Sequence, residues 1–323
     1  MPNPVCSDEQ FIDLWKRLKS GVAVSKALGI NERAVLARRR AVETRHGLVL
    51  TANDSRSPTP SMTITADRVE VKLEIENGIV LISGDLHFSP GIVPVMHRAM
   101  CHLAKKLKPY AIVWNGDVAD FPQISRFPSI GWESYPTLAK ELETISDRSH
   151  EVMQAAPAAK RIWTAGNHDL RFETRLANVA SEYRDIKGIH LKDHFPEWTP
   201  AWFCTVNGGT NSHTEIRHRE KGGVHASYRN TLESGVSIVT GHDHIADIRP
   251  FSDRRGQRYG VRHGMGADSA RDRQFVNYLE GKTPAWTSGL AVLHYRNGEL
   301  LMPELALRRS EDSFEFRGEI IKV

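Results

Sequence analysis

Residues 79–87 read Ile79-Val80-Leu81-Ile82-Ser83-Gly84-Asp85-Leu86-His87, an unbroken apolar run that stops at a glycine, a carboxylate and an imidazole. Four large aliphatic residues without alternation fit a strand buried on both faces. The polar residues fall where such a strand ends. The same grammar recurs twice: 111–114 leads to Asn115-Gly116-Asp117, and 161–165 leads to Gly166-Asn167-His168-Asp169, with a helix-like stretch between the strands. Strands alternating with helices, with polar residues at their carboxyl ends, predict an α/β fold whose site lies along that edge.

Upstream, Val69, Val71, Leu73 and Ile75 alternate with charged residues before Asn77-Gly78. That pattern predicts an edge strand joined by a hairpin to the run at 79–82. Downstream, strand-like runs at 214–218, 237–240, 289–295 and 300–307 are closely spaced, with Asn297-Gly298 as a further hairpin turn, and predict a second sheet. The run at 237–240 ends in a fourth polar group, Gly241-His242-Asp243-His244.

Carboxylates, an amide and imidazoles gathered at four strand ends suit divalent first-row metals, which take oxygen and nitrogen ligands together. Because a strand sends alternate side chains to one face, Asp85 and His87 are expected to point at one ion, and His242 and His244 likewise. Gly84, Gly116, Gly166 and Gly241 let the backbone turn and keep the space around the ions clear.

These blocks, in this order, resemble the calcineurin-like metallophosphoesterase family, whose pattern runs D-x-H, G-D-x-x-D, G-N-H-D/E, a lone His and G-H-x-H. The resemblance spans about residues 79–247. It implies a four-layer αββα sandwich of two mixed sheets flanked by helices, holding two divalent ions. Mn is the expected metal, with Fe, Zn or Co as alternatives. By resemblance, Asp85, His87, Asp117 and His244 hold the first ion; Asp117, Asn167, His242 and the lone His hold the second, with Asp117 bridging. Two such ions activate a bridging hydroxide and clamp phosphate oxygens for in-line attack. His168 then serves the leaving oxygen, Asp169 orients its ring, and Asp120 stands behind the ligands. The chain departs from the pattern at the lone His, for no His-Gly lies between Asn167 and Gly241. His213, His218 and His225 are the candidates; His218, at the end of a strand-like run, is favoured and His225 is next. Arg126 and Arg171, near the metal loops, resemble the form of the family found in phage and prophage genes and are candidates for contacting substrate phosphate. His46, His97, His102, His150, His190, His194, His263 and His294 are scattered and read as ordinary.

Residues 1–50 form a separate region. Ser7 and Gln10 make a capping box, Phe11, Leu14, Trp15 and Leu18 share a helix face, and Gly21 is expected to end that helix. A second helix is expected over 22–28 and a third from Glu32, N-capped by Asn31, to about residue 45. Three short helices with a tight glycine turn resemble a helix-turn-helix module, with Arg33, Arg38, Arg39 and Arg40 on its third helix placed to meet nucleic acid. The region holds nine Lys/Arg against five Asp/Glu, whereas the rest of the chain balances at 34 of each, so the net charge of +4 resides here. Residues 51–66, rich in Ser, Thr and Pro, read as a linker to a catalytic domain over 67–323.

With 40% hydrophobic and 25% charged residues and no long apolar run, the 323-residue chain reads as globular, without a membrane span. The amino terminus lacks the signature of a secretory signal, and Cys6, Cys101 and Cys204 form no metal or redox pattern; a cytoplasmic location is expected. The expected activity is metal-dependent phosphodiester cleavage, with DNA as substrate. Two alternatives stand: a phosphatase of small-molecule or protein monoesters whose N-terminal helices form a lid or dimer contact, and a non-catalytic DNA-binding protein with a remnant metal site.

Overall fold

A computed structural model describes residues 5–50, 70–129 and 131–323, which fall in two compact units on either side of the Thr63–Ile64 junction. The linker expected at 51–66 lies outside the described residues. In the first unit, α1 (Asp8–Leu18) is opened by the reciprocal Ser7–Gln10 capping box, α2 (Gly21–Leu28) by Ser20, and α3 (Glu32–His46) by Asn31. The first helix stops two residues before Gly21, because Lys19 takes the left-handed C-cap conformation; Gly21 begins α2 instead. Phe11, Trp15, Val24, Val35, Val42 and Leu50 make a core of their own.

The second unit is built from two sheets. Its strands are β1 (Glu70–Leu73), β2 (Gly78–Ser83), β3 (Ala111–Asn115), β4 (Lys160–Thr164), β5 (Thr199–Ala201), β6 (Phe203–Val206), β7 (Thr214–Arg217) and β8 (Ser237–Thr240). They continue with β9 (Ala246–Asp253), β10 (Gly256–His263), β11 (Gly289–Arg296), β12 (Glu299–Leu300), β13 (Glu304–Arg308), β14 (Ser313–Phe316) and β15 (Glu319–Lys322). One sheet has the order β1-β6-β7-β8-β10-β9; the other runs β15-β14-β13-β11-β2-β3-β4-β5, with β12 paired to β11. Both mix parallel and antiparallel neighbours, and β2, β3, β4 and β5 form a parallel run.

The apolar run at 79–82 shows why two sheets are needed. Val80 and Ile82 face the other sheet and pack with Leu73, Val206, Val239 and Val261. Leu81 faces the opposite way, onto Met96, Met100 and Leu103 of α4 (Val95–Leu107) and the core shared with α5 (Leu138–Ala155). On the far side of the six-stranded sheet, α8 packs over β8, β9 and β10; it spans Ala226–Ser234 and follows α6 (Leu170–Val179) and α7 (Leu191–His194) in the chain. The layers are therefore helix, sheet, sheet, helix, as the family resemblance implies.

The expected hairpin at Asn77-Gly78 does not form. β1 is an edge strand, but it runs parallel to β6 in one sheet while β2 sits between β11 and β3 in the other. An alternating strand and a doubly buried one need different surroundings, and the chain crosses between sheets to supply both. At Asn297-Gly298 the hairpin does form, with φ of 51° and 78° as a type I′ turn requires, joining β11 to β12. The single strand expected at 300–307 is divided between β12 and β13.

Candidate metal centre

The loops leaving β2, β3, β4 and β8, with the residue just after β7, meet at one edge of the sheets. The parallel pairing of β2 with β3 continues into their loops, where the amides of Asp85, Leu86 and His87 donate to the carbonyls of Gly116 and Asp117. These residues lie past the strand ends, so strand alternation does not aim them. Asp85, His87, Asp117, His242 and His244 instead all have positive φ, between 37° and 74°. Left-handed backbone at a non-glycine residue costs about 1–3 kcal/mol, and its recurrence at five clustered side chains marks a constrained functional site. The glycines serve close approach: a Cβ at Gly241 would lie 2.7 Å from Asp85 Oδ2, and one at Gly166 would strike Asp117.

Two groups of ligand atoms draw on the predicted ligands, Asp85 with His87 and His244, and Asp117 with His218 and His242, and a third joins His87 to Asp120 and His168. His244 Nε2 is 3.3 Å from Asp85 Oδ1, and His218 Nε2 is 3.1 Å from Asp117 Oδ2. His218 donates Nδ1–H to the Asn115 carbonyl at 2.8 Å, which turns Nε2 toward Asp117. His225 is exposed where α8 begins and belongs to neither group. His87 Nε2, Asn167 Oδ1, His218 Nε2 and His244 Nδ1 are buried without a hydrogen-bond partner. Such atoms are rare in a folded protein, and four donors of metal-binding type orphaned in one place fit divalent cations.

The electrostatics agree. Burial alone would raise the carboxyl pKa of Asp85 and Asp117, yet the imidazoles around them, His244 for the first and His218 for the second, hold both well below the usual carboxylate range. Burial pulls His218 down, and the Asp117 carboxylate more than reverses it, to about 9. Without cations, His218 partly neutralises Asp117.

His168 does not meet Asp169 as expected. Asp169 instead accepts from the amides of Val118, Ala119 and Gly166 and from the Trp163 indole, locking the β3 and β4 loops together. Asp120 orients the ring: its Oδ1 lies 2.6 Å from His168 Nδ1 and 3.2 Å from His87 Nδ1. Burial disfavours protonation of His168, but its hydrogen bond to the Asp120 carboxylate and the charge of Asp117 push its pKa above the ordinary value. Arg171 reaches this group, donating to the Asp120 carbonyl at 2.7 Å. Arg126 is exposed and lies over the Phe127 ring at 5.0 Å, and no contact ties it to the ligands.

Several neighbours were not legible in the sequence. His263, read as ordinary, is fully buried against Gly84 and Gly241, donating Nδ1–H to the Gly264 carbonyl at 2.6 Å. Its position at the end of a strand was the available signal. Arg262 holds the His242–His244 loop from behind, bonding Asp243 at 2.6 Å and Asp247 at 2.8 Å. Arg219 is exposed beside His218, its charge bears on His242, and no hydrogen bond or ion pair holds it among the described residues. Phe275, in α9 (Arg273–Val276), packs on His87 at 4.4 Å, and Trp286 lies 4.5 Å from His244.

In the first unit, the structure divides the four arginines of α3. Arg38 donates to the Cys6 carbonyl, pairs with Asp8 at 3.6 Å and covers the Phe11 ring, while Arg39 pairs with Glu43 at 3.0 Å over Trp15. Both are engaged within the unit, so only Arg33 and Arg40 remain exposed. No helix among the described residues is long and apolar enough to cross a membrane.

Comparison with known proteins bears on the same segment. The chain is 25% identical over 220 residues to the Gene 54 protein of Mycobacterium phage L5 and 24% identical to that of phage D29, in each case covering 61% of this chain and 81% of the relative. A crystal structure of Vps29 with zinc from Entamoeba histolytica aligns with 75% of this chain and 96% of its own, at 13% identity and a TM-score of 0.39. Residues 79–277 match the profile described as calcineurin-like phosphoesterase. Since that match covers more than half of the chain and every loop that brings the clustered donors together, the chain belongs to the calcineurin-like phosphoesterase family of metal-dependent phosphoester hydrolases.

Proposed function

We propose that the chain is a two-metal phosphodiesterase acting on nucleic acid, DNA first, with Asp85, His87, Asp117 and His244 holding one ion and Asp117, Asn167, His218 and His242 the other. The observation that carries the metal assignment is the set of buried, unpartnered donors converging from the segments that follow β2, β4, β7 and β8. Divalent ions there supply Lewis acidity toward phosphoryl oxygens and activate water for attack, with Mn the favoured metal. The protein's own share is positional. His168, held by Asp120, donates a proton to the leaving oxygen, and Arg171 fixes Asp120 from behind. Arg219, with its charge directed at His242, takes the place expected of Arg126 as a contact for substrate phosphate.

Nucleic acid is favoured by the concentration of the chain's positive charge in residues 1–50, where Arg33 and Arg40, seven residues apart, stand free on α3 of a helix-turn-helix-like unit. The purified protein loaded with Mn²⁺ is expected to cleave single- or double-stranded DNA, and His168→Ala to lower that rate by about 10²-fold or more. Cleavage of bis-p-nitrophenyl phosphate with no cleavage of any DNA or RNA would overturn the nucleic-acid reading. Faster turnover of monoesters than diesters would replace it with a phosphatase.

A further inference from the structure

Two segments at the rim of the metal centre carry large aromatic side chains that the fold leaves in water. Trp132 is wholly exposed at 103%, Phe127 is 64% exposed and Tyr278 is 54% exposed. Exposed apolar side chains scattered singly need no explanation, but these three belong to two segments that are joined to one another. Contacts connect them to the ligands. Trp286 lies against His244 at 4.5 Å, and Tyr278 lies 6.2 Å from Trp286. Burial raises the Tyr278 phenol to about 12, and the charge of Asp120 adds to the rise. The neighbouring Asn277 donates to Glu133 at 2.6 Å, which ties the Trp132 segment to the Tyr278 segment. Phe127, on the first of these segments, already stacks with a cation, Arg126, at 5.0 Å.

We infer that this rim is a stacking platform for unpaired bases, so that the substrate is single-stranded nucleic acid whose backbone enters the metal centre while adjacent bases rest on Trp132 and Tyr278. The inference rests on the phosphodiesterase reading above and narrows its substrate. A single strand supplies flat aromatic faces linked by phosphates, which matches exposed rings set around a phosphoester site, with Arg126 and Arg219 as the cations between. In a duplex those faces are stacked on one another and are not available to the protein. A phosphorylated peptide offers no regular series of aromatic rings linked by phosphates.

The test compares a mixed-sequence single-stranded oligonucleotide, an oligomer of equal length with abasic residues around the scissile bond, and a blunt duplex, each with the Mn²⁺-loaded full chain. The wild type is expected to favour the base-bearing single strand over the abasic oligomer by about tenfold or more in kcat/KM, and over the duplex in the same direction. Trp132→Ala and Tyr278→Ala are expected to remove most of that preference by raising KM on the base-bearing strand, with Trp132→Phe restoring it. Quenching of tryptophan emission by the single strand should vanish in Trp132→Ala. Because Trp132 is fully exposed, its substitution leaves the melting curve unchanged. Equal cleavage of base-bearing and abasic strands, preference for the duplex, or variants that keep the full preference would each overturn the platform while leaving a nuclease in place. A wild type that cleaves no nucleic acid overturns the phosphodiesterase reading itself, and a phosphotyrosine peptide turned over with dependence on Trp132 would assign the rim to peptides.

Discussion

The two nests of the metal centre are built from the same residue types but differ in their access to water. Asp85, His87 and His244 are all buried, with Phe275 and Trp286 packed over the histidines. Asp117 and His218 are equally buried, but the third member of their nest, His242, is exposed and has Arg219 beside it. A closed nest retains its ion, because water cannot compete for the ligands; an open one exchanges its ion and admits the substrate.

In the proposed assignment Asp117 serves both ions, so its substitution should do the greatest damage. Asp117→Asn is expected to lower kcat/KM for a diester by about 10³-fold or more and to reduce metal content, measured by elemental analysis after dialysis. The asymmetry itself is broken by comparing His87→Ala with His242→Ala. His242→Ala should retain close to one ion per chain and regain activity at high Mn²⁺, whereas His87→Ala should do neither; equal behaviour of the two variants would remove the distinction. Asp120→Asn removes the charge behind His168 and His87, for an expected loss of about 10- to 100-fold in kcat that exceeds any loss of metal content. Arg262→Ala is expected to fall in the same range through KM for the metal, since it frees Asp243 and the loop carrying His242 and His244.

The smallest effect is one of stability. Glu141 accepts the Phe121 amide at 2.8 Å with one oxygen, while the other is buried and unpartnered, and burial pushes its carboxyl up to about 8 from an ordinary 4.5. The folded chain keeps that proton between pH 4.5 and 8 and the unfolded chain releases it, so this group's contribution to stability falls as pH rises through that window. Glu141→Gln keeps an oxygen for Phe121 and removes the charge, and should raise the melting temperature by about 2–4 °C at pH 9 with little change at pH 4. A shift of the same size at both pH values would show that the charge is not the cause.

The order of the blocks along the chain disclosed the fold and most of the clustered donors, because apolar runs ending in Asp, His and Asn are a local pattern. What the sequence did not disclose depends on residues distant along the chain. The partner of His168 could not be read from adjacency: Asp169 follows it directly yet turns away to Trp163, while Asp120, 48 residues earlier, reaches the ring. Arg126 was named for its nearness in sequence to a metal loop, and its loop carries it out over Phe127. His263 and Arg262 end a strand, β10, that had not been anticipated, so the one signal they carried, a strand end, went unread. On α3 the arginine run was visible, but which of its members pair internally depends on how Asp8 and Glu43 pack against them.

The left-handed backbone at Asp85, His87, Asp117, His242 and His244 has a consequence for descent. Glycine adopts that conformation without penalty, so at His242, which is exposed and fills no core, a change to glycine relaxes the chain while abolishing a donor. Lineages under selection for hydrolysis must keep the strained histidine, whereas a lineage released from that selection can drift to a more stable chain by a single substitution. Glycine at position 242 in an otherwise intact relative would therefore mark a descendant that has given up the reaction and kept the fold.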